Sequence, residues 1–287
     1  MRAYSSKIAL LKNGRGVYSL DPSIGCSSGM ANEIGGCYND CYAAKSSKLY
    51  GYDFSKTVLR DFENEKHRKK ILHQINSIPL PFVRMGTSGD PSEDWEHTIK
   101  ILQGIATCNK EIVIITKHWK NLEQWHLELF RSTNVCVNTS VSALDNHNVL
   151  SNGLSQFNRL KPFCKSVLRV VTCDFNTDTE IGKRSDELQK SILLHGDILE
   201  TVLRVGKNNP LVKSGLIRVS KEDFLGKQVL ASKRKKSIYF GTCNNCKQMC
   251  GVNVVDAPVI NDRKTITTQL NIFSKKLQQK KQAVLKS

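Results

Sequence analysis

The sequence predicts an α/β fold, and three observations predict it. Short β-branched or aromatic runs recur at fairly even intervals, charged and periodic helical stretches separate them, and small polar residues cluster just after the runs. The strand candidates are Gly16–Leu20, Pro81–Met85, Glu111–Thr116, Val135–Val141, Ser166–Thr172 and Thr201–Val205. The helical candidates are Ser55–Ile75, Ser92–Thr107, Leu122–Ser132, Leu144–Leu154 and Arg184–Leu194. The second of these opens on Ser-Glu-Asp, which suits a helix N-terminus.

Alternation of this kind implies parallel pairing. Six units are too few for a closed eight-stranded barrel and suit either a doubly wound sheet or an open six-unit barrel. Both place a site at the C-terminal ends of the strands. Those ends carry Gly86–Asp90, Thr116–Lys117, Asn138–Ser140, Thr172–Asp174 and Arg204–Asn208. The pattern breaks after residue 206, which divides the chain into 1–206 and a basic extension over 207–287. Within the extension, Gly215–Val219 and Ser237–Phe240 read as short antiparallel strands and Asn271–Ser287 as a basic amphipathic tail.

Of the 287 residues, 39% are hydrophobic, enough to bury a core. No apolar run approaches the roughly 18 residues of a membrane span, and the first residues lack a secretory leader, so no membrane association and a cytoplasmic location are expected. The net charge is +17; 17 Lys/Arg against four Asp/Glu from Lys207 onward place +13 of it in the last third. Such a field attracts phosphate, so nucleic acid or nucleotide is an expected partner, with a solvated basic surface as the plain alternative.

Ten cysteines in a reducing compartment call for a chemical explanation. Cys108, Cys136, Cys164 and Cys173 are scattered and read as small buried thiols. The other six form two groups. Cys26, Cys37 and Cys41 are spaced Cys-x10-Cys-x3-Cys in a loop after the first strand, with glycines at 25, 29, 35 and 36 that let the backbone approach the sulfurs. Three thiolates with no fourth Cys or His before His67 suit an iron–sulfur cluster with one open iron; a structural zinc would want that fourth ligand. Cys243, Cys246 and Cys250 form a compact knuckle, either a second iron–sulfur cluster or zinc, beside the basic run Lys233–Lys236. His118, Trp119 and Trp125 read as packing residues.

Cys41-Tyr-Ala-Ala-Lys45 after a loop of spaced cysteines, the Gly-Thr-Ser-Gly-Asp90 ending of the second strand, Thr116-Lys117 after the third and the Cys knuckle resemble phage-encoded radical-SAM-like proteins, the gene-product-eighty-eight group. The resemblance spans roughly residues 16–250 and rests on short motifs. It implies a partial (β/α)6 barrel of radical-SAM type with a small Cys-rich extension, a [4Fe-4S] cluster, S-adenosylmethionine and an electron donor. It also implies that Gly86, Ser88 and Asp90 lie at the amino group of S-adenosylmethionine. The usual loop of that superfamily is Cys-x3-Cys-x2-Cys, and here Ala44 stands in its last slot, so Cys26 supplies the third thiolate from upstream.

Asp90-Pro91-Ser92 also fits a cap of the next helix. Asn138 and Ser140 read as ribose partners or as turn polarity. Lys117 and Arg204 are partners for a carboxylate or phosphate, or plain surface charge. The competing functions are a radical enzyme, a nucleic-acid-binding metalloprotein with structural Cys sites and no catalysis, and a cluster-holding redox or sensor protein.

Overall fold

The computed structural model describes residues 7–14, 16–32, 37–120, 122–219 and 245–254, with the backbone of 223–224 and 227–228. It is a mixed α/β structure around one seven-stranded, mostly parallel sheet. In chain order the sheet strands are β1 (Leu11–Lys12), β2 (Tyr18–Ser19), β5 (Phe82–Met85), β6 (Glu111–Thr116), β7 (Val135–Val141), β8 (Lys165–Thr172) and β10 (Ile198–Val202). Their spatial order is the same, β1-β2-β5-β6-β7-β8-β10. Only β1 runs antiparallel, pairing Leu11 with Ser19. The remaining short strands are β3 (Ser23–Ile24) with β4 (Val58–Leu59), and β9 (Asp174–Phe175) with β11 (Ile217–Arg218).

The helices are α1 (Ser27–Asn32), α2 (Tyr42–Leu49), α3 (Glu65–Asn76), α4 (Trp95–Gly104), α5 (Gln124–Arg131), α6 (His147–Leu160), α7 (Glu180–Ile192) and α8 (Pro210–Lys213). Side chains alternate across a strand, and the two faces of the sheet differ. Val83, Met85, Ile112, Ile114, Val135 and Val137 face Ile71, Ile75, Ile99, Leu102, Leu127 and Phe130 of α3, α4 and α5. Further along, Val141, Leu168 and Val170 face Leu150, Leu154 and Phe157 of α6. On the other face Val17, Phe82, Val113, Cys136, Val167 and Leu199 pack with Met249, Cys250, Val252 and Val254. The crossover helices α3 to α6 therefore lie on one side, as sequential right-handed crossovers require, and residues 249–254 cover the base of the other.

The strands predicted at Glu111–Thr116 and Val135–Val141 have those bounds, the one at Ser166–Thr172 starts one residue earlier at Lys165, and the three others are shorter or shifted. The sixth ends at Val202 rather than Val205, because Leu203 and Val205 leave the sheet to pack against Phe175 and Ile217. The helix predicted from Ser55 begins at Glu65: Val58 and Leu59 pair with β3, Arg60 N–H donates to Pro22 O, and Asn64 then caps the helix by accepting from His67 N–H at 2.9 Å. Asn146 and Thr179 likewise set the starts of α6 and α7. Within the extension, Leu211, Val212 and Leu216 pack onto Phe175, Leu203 and Val205. The predicted strand at Ser237–Phe240, the run Lys233–Lys236 and the tail Asn271–Ser287 lie outside the described residues. Among the described residues no helix is long and apolar enough to cross a membrane.

Candidate metal centre

The turn Cys37–Asn39 and its neighbours sit over the C-terminal ends of the strands. Its backbone is unusual, since Tyr38 and Asn39 are both left-handed with φ of 57° and 58°. Such a conformation costs a residue like tyrosine about 1–3 kcal/mol and persists only when the surroundings enforce it. They do so from three strands. After β6, Lys117 Nζ donates to the Tyr38 hydroxyl at 2.7 Å and pairs with Asp145. After β7, Asp145 accepts from the same hydroxyl at 3.0 Å and from Ser142 N–H at 2.8 Å. After β10, Gly206 N–H donates to Asp40 at 2.5 Å and Asn209 Nδ2 donates to Tyr38 O at 2.8 Å. Cys41 then stands at the N-cap position of α2, with no capping bond from its side chain.

Cys26 comes to this turn from the end of β3. It leads into α1, whose N-terminus is bound by Glu93: Ser27 Oγ donates to that carboxylate at 2.8 Å, Ser28 N–H at 2.9 Å and Lys120 Nζ at 2.6 Å. Burial opposes ionisation of Glu93, but the Lys120, Ser28 and Ser27 bonds outweigh it and hold the carboxyl down at about 2. A depressed carboxyl contributes stability that is complete above its ordinary value of 4.5 and is lost as pH falls toward 2. Glu93→Gln is therefore expected to flatten the acid limb of a stability-versus-pH curve across that window, as denaturation midpoints would show.

Cys26 and Cys41 both pack against Ala43, Ala44 and Phe54. Burial, then the charge of Asp90, pushes the Cys26 thiol up, and the nearby Cys37 adds to it. His118 is the unforeseen member of the group. Its Nε2 stands 3.2 Å from Cys37 Sγ. A Cβ placed on Gly29 would lie 2.9 Å from Cys26 Sγ and 3.1 Å from His118 Nε2, so Gly29 is what leaves room for both. Burial lowers the His118 pKa and favours the neutral ring. Among the described residues, no group of three or more His, Cys, Asp or Glu stands at metal-holding geometry. Cys37 meets His118, Cys26 approaches His118 across Gly29, and Cys41 packs with Cys26 on the same apolar cluster; thiols and imidazole are of the kind that suits iron–sulfur clusters and zinc.

Two buried carboxylates build the loops around this group. Asp21 accepts from Gly86, Thr87 and Ser88 N–H at 3.0, 2.8 and 3.1 Å, so the first three amides of the Gly86–Asp90 loop are committed to it. Asp90 accepts from Ser92 N–H at 3.0 Å, Ser92 Oγ at 2.9 Å, Thr116 Oγ1 at 2.5 Å, Lys117 N–H at 2.8 Å and His118 N–H at 2.9 Å. With five donors on two oxygens, Asp90 serves the cap and the His118 loop, and this geometry does not offer it to an external ammonium. The next residue, Trp119, stacks on Trp95 at 5.2 Å in the core, and Trp125 packs on His126 at the surface.

The other predicted cofactor residues are dispersed. Asn138 is fully buried and donates to Cys250 O at 3.0 Å beneath the knuckle. Ser140 is half-buried, two residues further along β7 on the same face. Arg204 is half-buried just beyond β10. Of the second cysteine group, Cys243 lies outside the described residues, Cys246 is half-exposed and Cys250 packs against the sheet. Cys136 and Cys173 are buried, and Cys108 and Cys164 pack against the core, as small apolar residues.

Asp21 gave no sequence signal, being a lone carboxylate after a short strand. His118 had one: it directly follows the Thr116-Lys117 strand end, where a site is expected. No family model matches this chain, and no curated protein or solved structure matches it.

Proposed function

We propose that this chain is an iron–sulfur enzyme of radical-SAM type, built on an open six-unit β/α barrel, with its cluster on Cys26, Cys37 and Cys41. The observation that carries this reading is the Cys37–Cys41 turn, clamped over the ends of β6, β7 and β10 by Lys117, Asp145, Gly206 and Asn209. Sequential strand order with the crossover helices on one side supports the barrel. When bound, a reduced cluster of this kind supplies the electron that cleaves S-adenosylmethionine.

The protein's own groups do the rest. Asp21 and Asp90 fix the loops after β2, β5 and β6. Arg84 and Arg169, on the face of the sheet opposite α3 to α6, extend their charge to the Tyr42 hydroxyl beside Cys41. With Ser140, which pairs opposite Arg169, they are the groups assigned in this reading to the carboxylate of S-adenosylmethionine. The surplus of basic residues favours an anionic substrate, nucleic acid or nucleotide. An electron donor and a cytoplasmic setting belong to the same reading, and the knuckle Cys243–Cys246–Cys250 is a second metal site, iron–sulfur or zinc.

Two measurements test it. Anaerobically reconstituted and reduced protein is expected to convert S-adenosylmethionine to 5′-deoxyadenosine and methionine; iron-loaded protein that does neither reduces the reading to a redox or sensor protein. Replacing Cys243 and Cys246 together is expected to lower total metal and leave the first site filled, and unchanged metal would remove the knuckle as a ligand set.

A further inference from the structure

We infer that His118 is a ligand of the centre held by the cysteine loop, completing a Cys3His donor set of Cys26, Cys37, Cys41 and His118. The inference rests on the cysteine loop being a metal site, but not on S-adenosylmethionine chemistry.

Three observations carry it. First, the ring nitrogen faces sulfur. Nε2 stands 3.2 Å from Cys37 Sγ, and among the described residues that sulfur is its hydrogen-bonding neighbour. A histidine buried for packing ordinarily satisfies its ring on a carbonyl or carboxylate. Second, a Cβ built on Gly29 would meet both Cys26 Sγ, at 2.9 Å, and His118 Nε2, at 3.1 Å, so the imidazole that touches Cys37 also neighbours a second cysteine eleven residues away in the chain. Third, the ring is carried on a braced loop. Asp90 holds the His118 N–H, the Ser92 hydroxyl is shared between Asp90 and His118 O, the latter at 2.5 Å, and Trp119 is locked against Trp95. Supporting contacts that fix the orientation of a ligating side chain are what metal sites use.

Thiolate and imidazole together select iron or zinc over hard cations. In the iron–sulfur reading, His118 competes with S-adenosylmethionine for the same coordination position. That accounts for how three spaced cysteines, with Ala44 in the slot of the usual last thiolate, still present four donors.

The test labels histidine with nitrogen-15 and examines the anaerobic, reduced protein by pulsed electron paramagnetic resonance without S-adenosylmethionine. A nitrogen directly coupled to the cluster is expected in the unaltered protein, absent from His118→Ala and from His118→Gln, both still holding iron. An iron- and sulfide-loaded protein with no such nitrogen overturns the inference and leaves the three-cysteine reading standing. Protein that carries zinc instead is examined by X-ray absorption. A shell of three sulfurs and one imidazole then sustains the inference while the radical-SAM reading fails, and an all-sulfur shell or one without imidazole overturns both. Protein that takes up neither metal after reconstitution also overturns both.

Discussion

Asp90→Ala is expected to destabilise the metal-free protein by roughly 3–5 kcal/mol. The carboxylate is buried and accepts from five donors, of which Ser92 and Thr116 are themselves buried. Alanine leaves the three amides and the Thr116 hydroxyl without this acceptor, the Ser92 hydroxyl keeping His118 O, and each unsatisfied buried group costs about 1–3 kcal/mol, less than additively. Capping alone would account for about 1 kcal/mol. A loss of that smaller size in chemical denaturation would mean that Asp90 only caps the turn after β5 and does not organise the loop after β6. The larger loss should come with weaker metal binding, because Lys117 and His118 both hang from the same oxygen.

Gly29→Ala is expected to do the reverse, keeping the fold and damaging the site. Alanine is favoured over glycine within a helix by roughly 0.5–1 kcal/mol, so α1 itself gains. The added methyl, however, meets Cys26 Sγ at 2.9 Å and His118 Nε2 at 3.1 Å. These are side-chain ends and can turn away, but only out of the space where they approach each other. Displacing groups that orient metal ligands typically lowers affinity about 10- to 100-fold, and a fall of that order is expected in metal-competition titrations. Unchanged metal affinity with normal stability would place the centre elsewhere. Gly25 is different in kind: its φ of 90° and its bridge to Gly89 make it part of the backbone path into the loop.

The parts of this molecule that could be read in advance are those written in local pattern. Glu111–Thr116 and Val135–Val141 are β-branched runs buried on both faces, which is how an inner parallel strand reads. The Cys-x10-Cys-x3-Cys spacing marked the loop, and the polar strand tips marked the rim. What could not be read was set by pairing across the chain. Val58 and Leu59 were taken into a strand by Ser23 and Ile24, which a helical charge pattern over 55–75 does not reveal. The meeting of Cys37 with His118 spans 81 residues and exists only because the loops after β2 and β6 are brought over the same strand ends. Asp90 was legible as a cap, but its hold on residues 116–118 depends on β5 lying beside β6, with Met85 opposite Ile114.

The central claim is that the loop of Cys26, Cys37 and Cys41 carries an iron–sulfur cluster. Anaerobic purification followed by iron, zinc and acid-labile sulfide analysis, with an absorption spectrum, tests it most directly. Brown protein containing iron and sulfide is expected, and Cys37→Ala combined with Cys41→Ala should remove most of that iron. Colourless protein carrying stoichiometric zinc alone would contradict it.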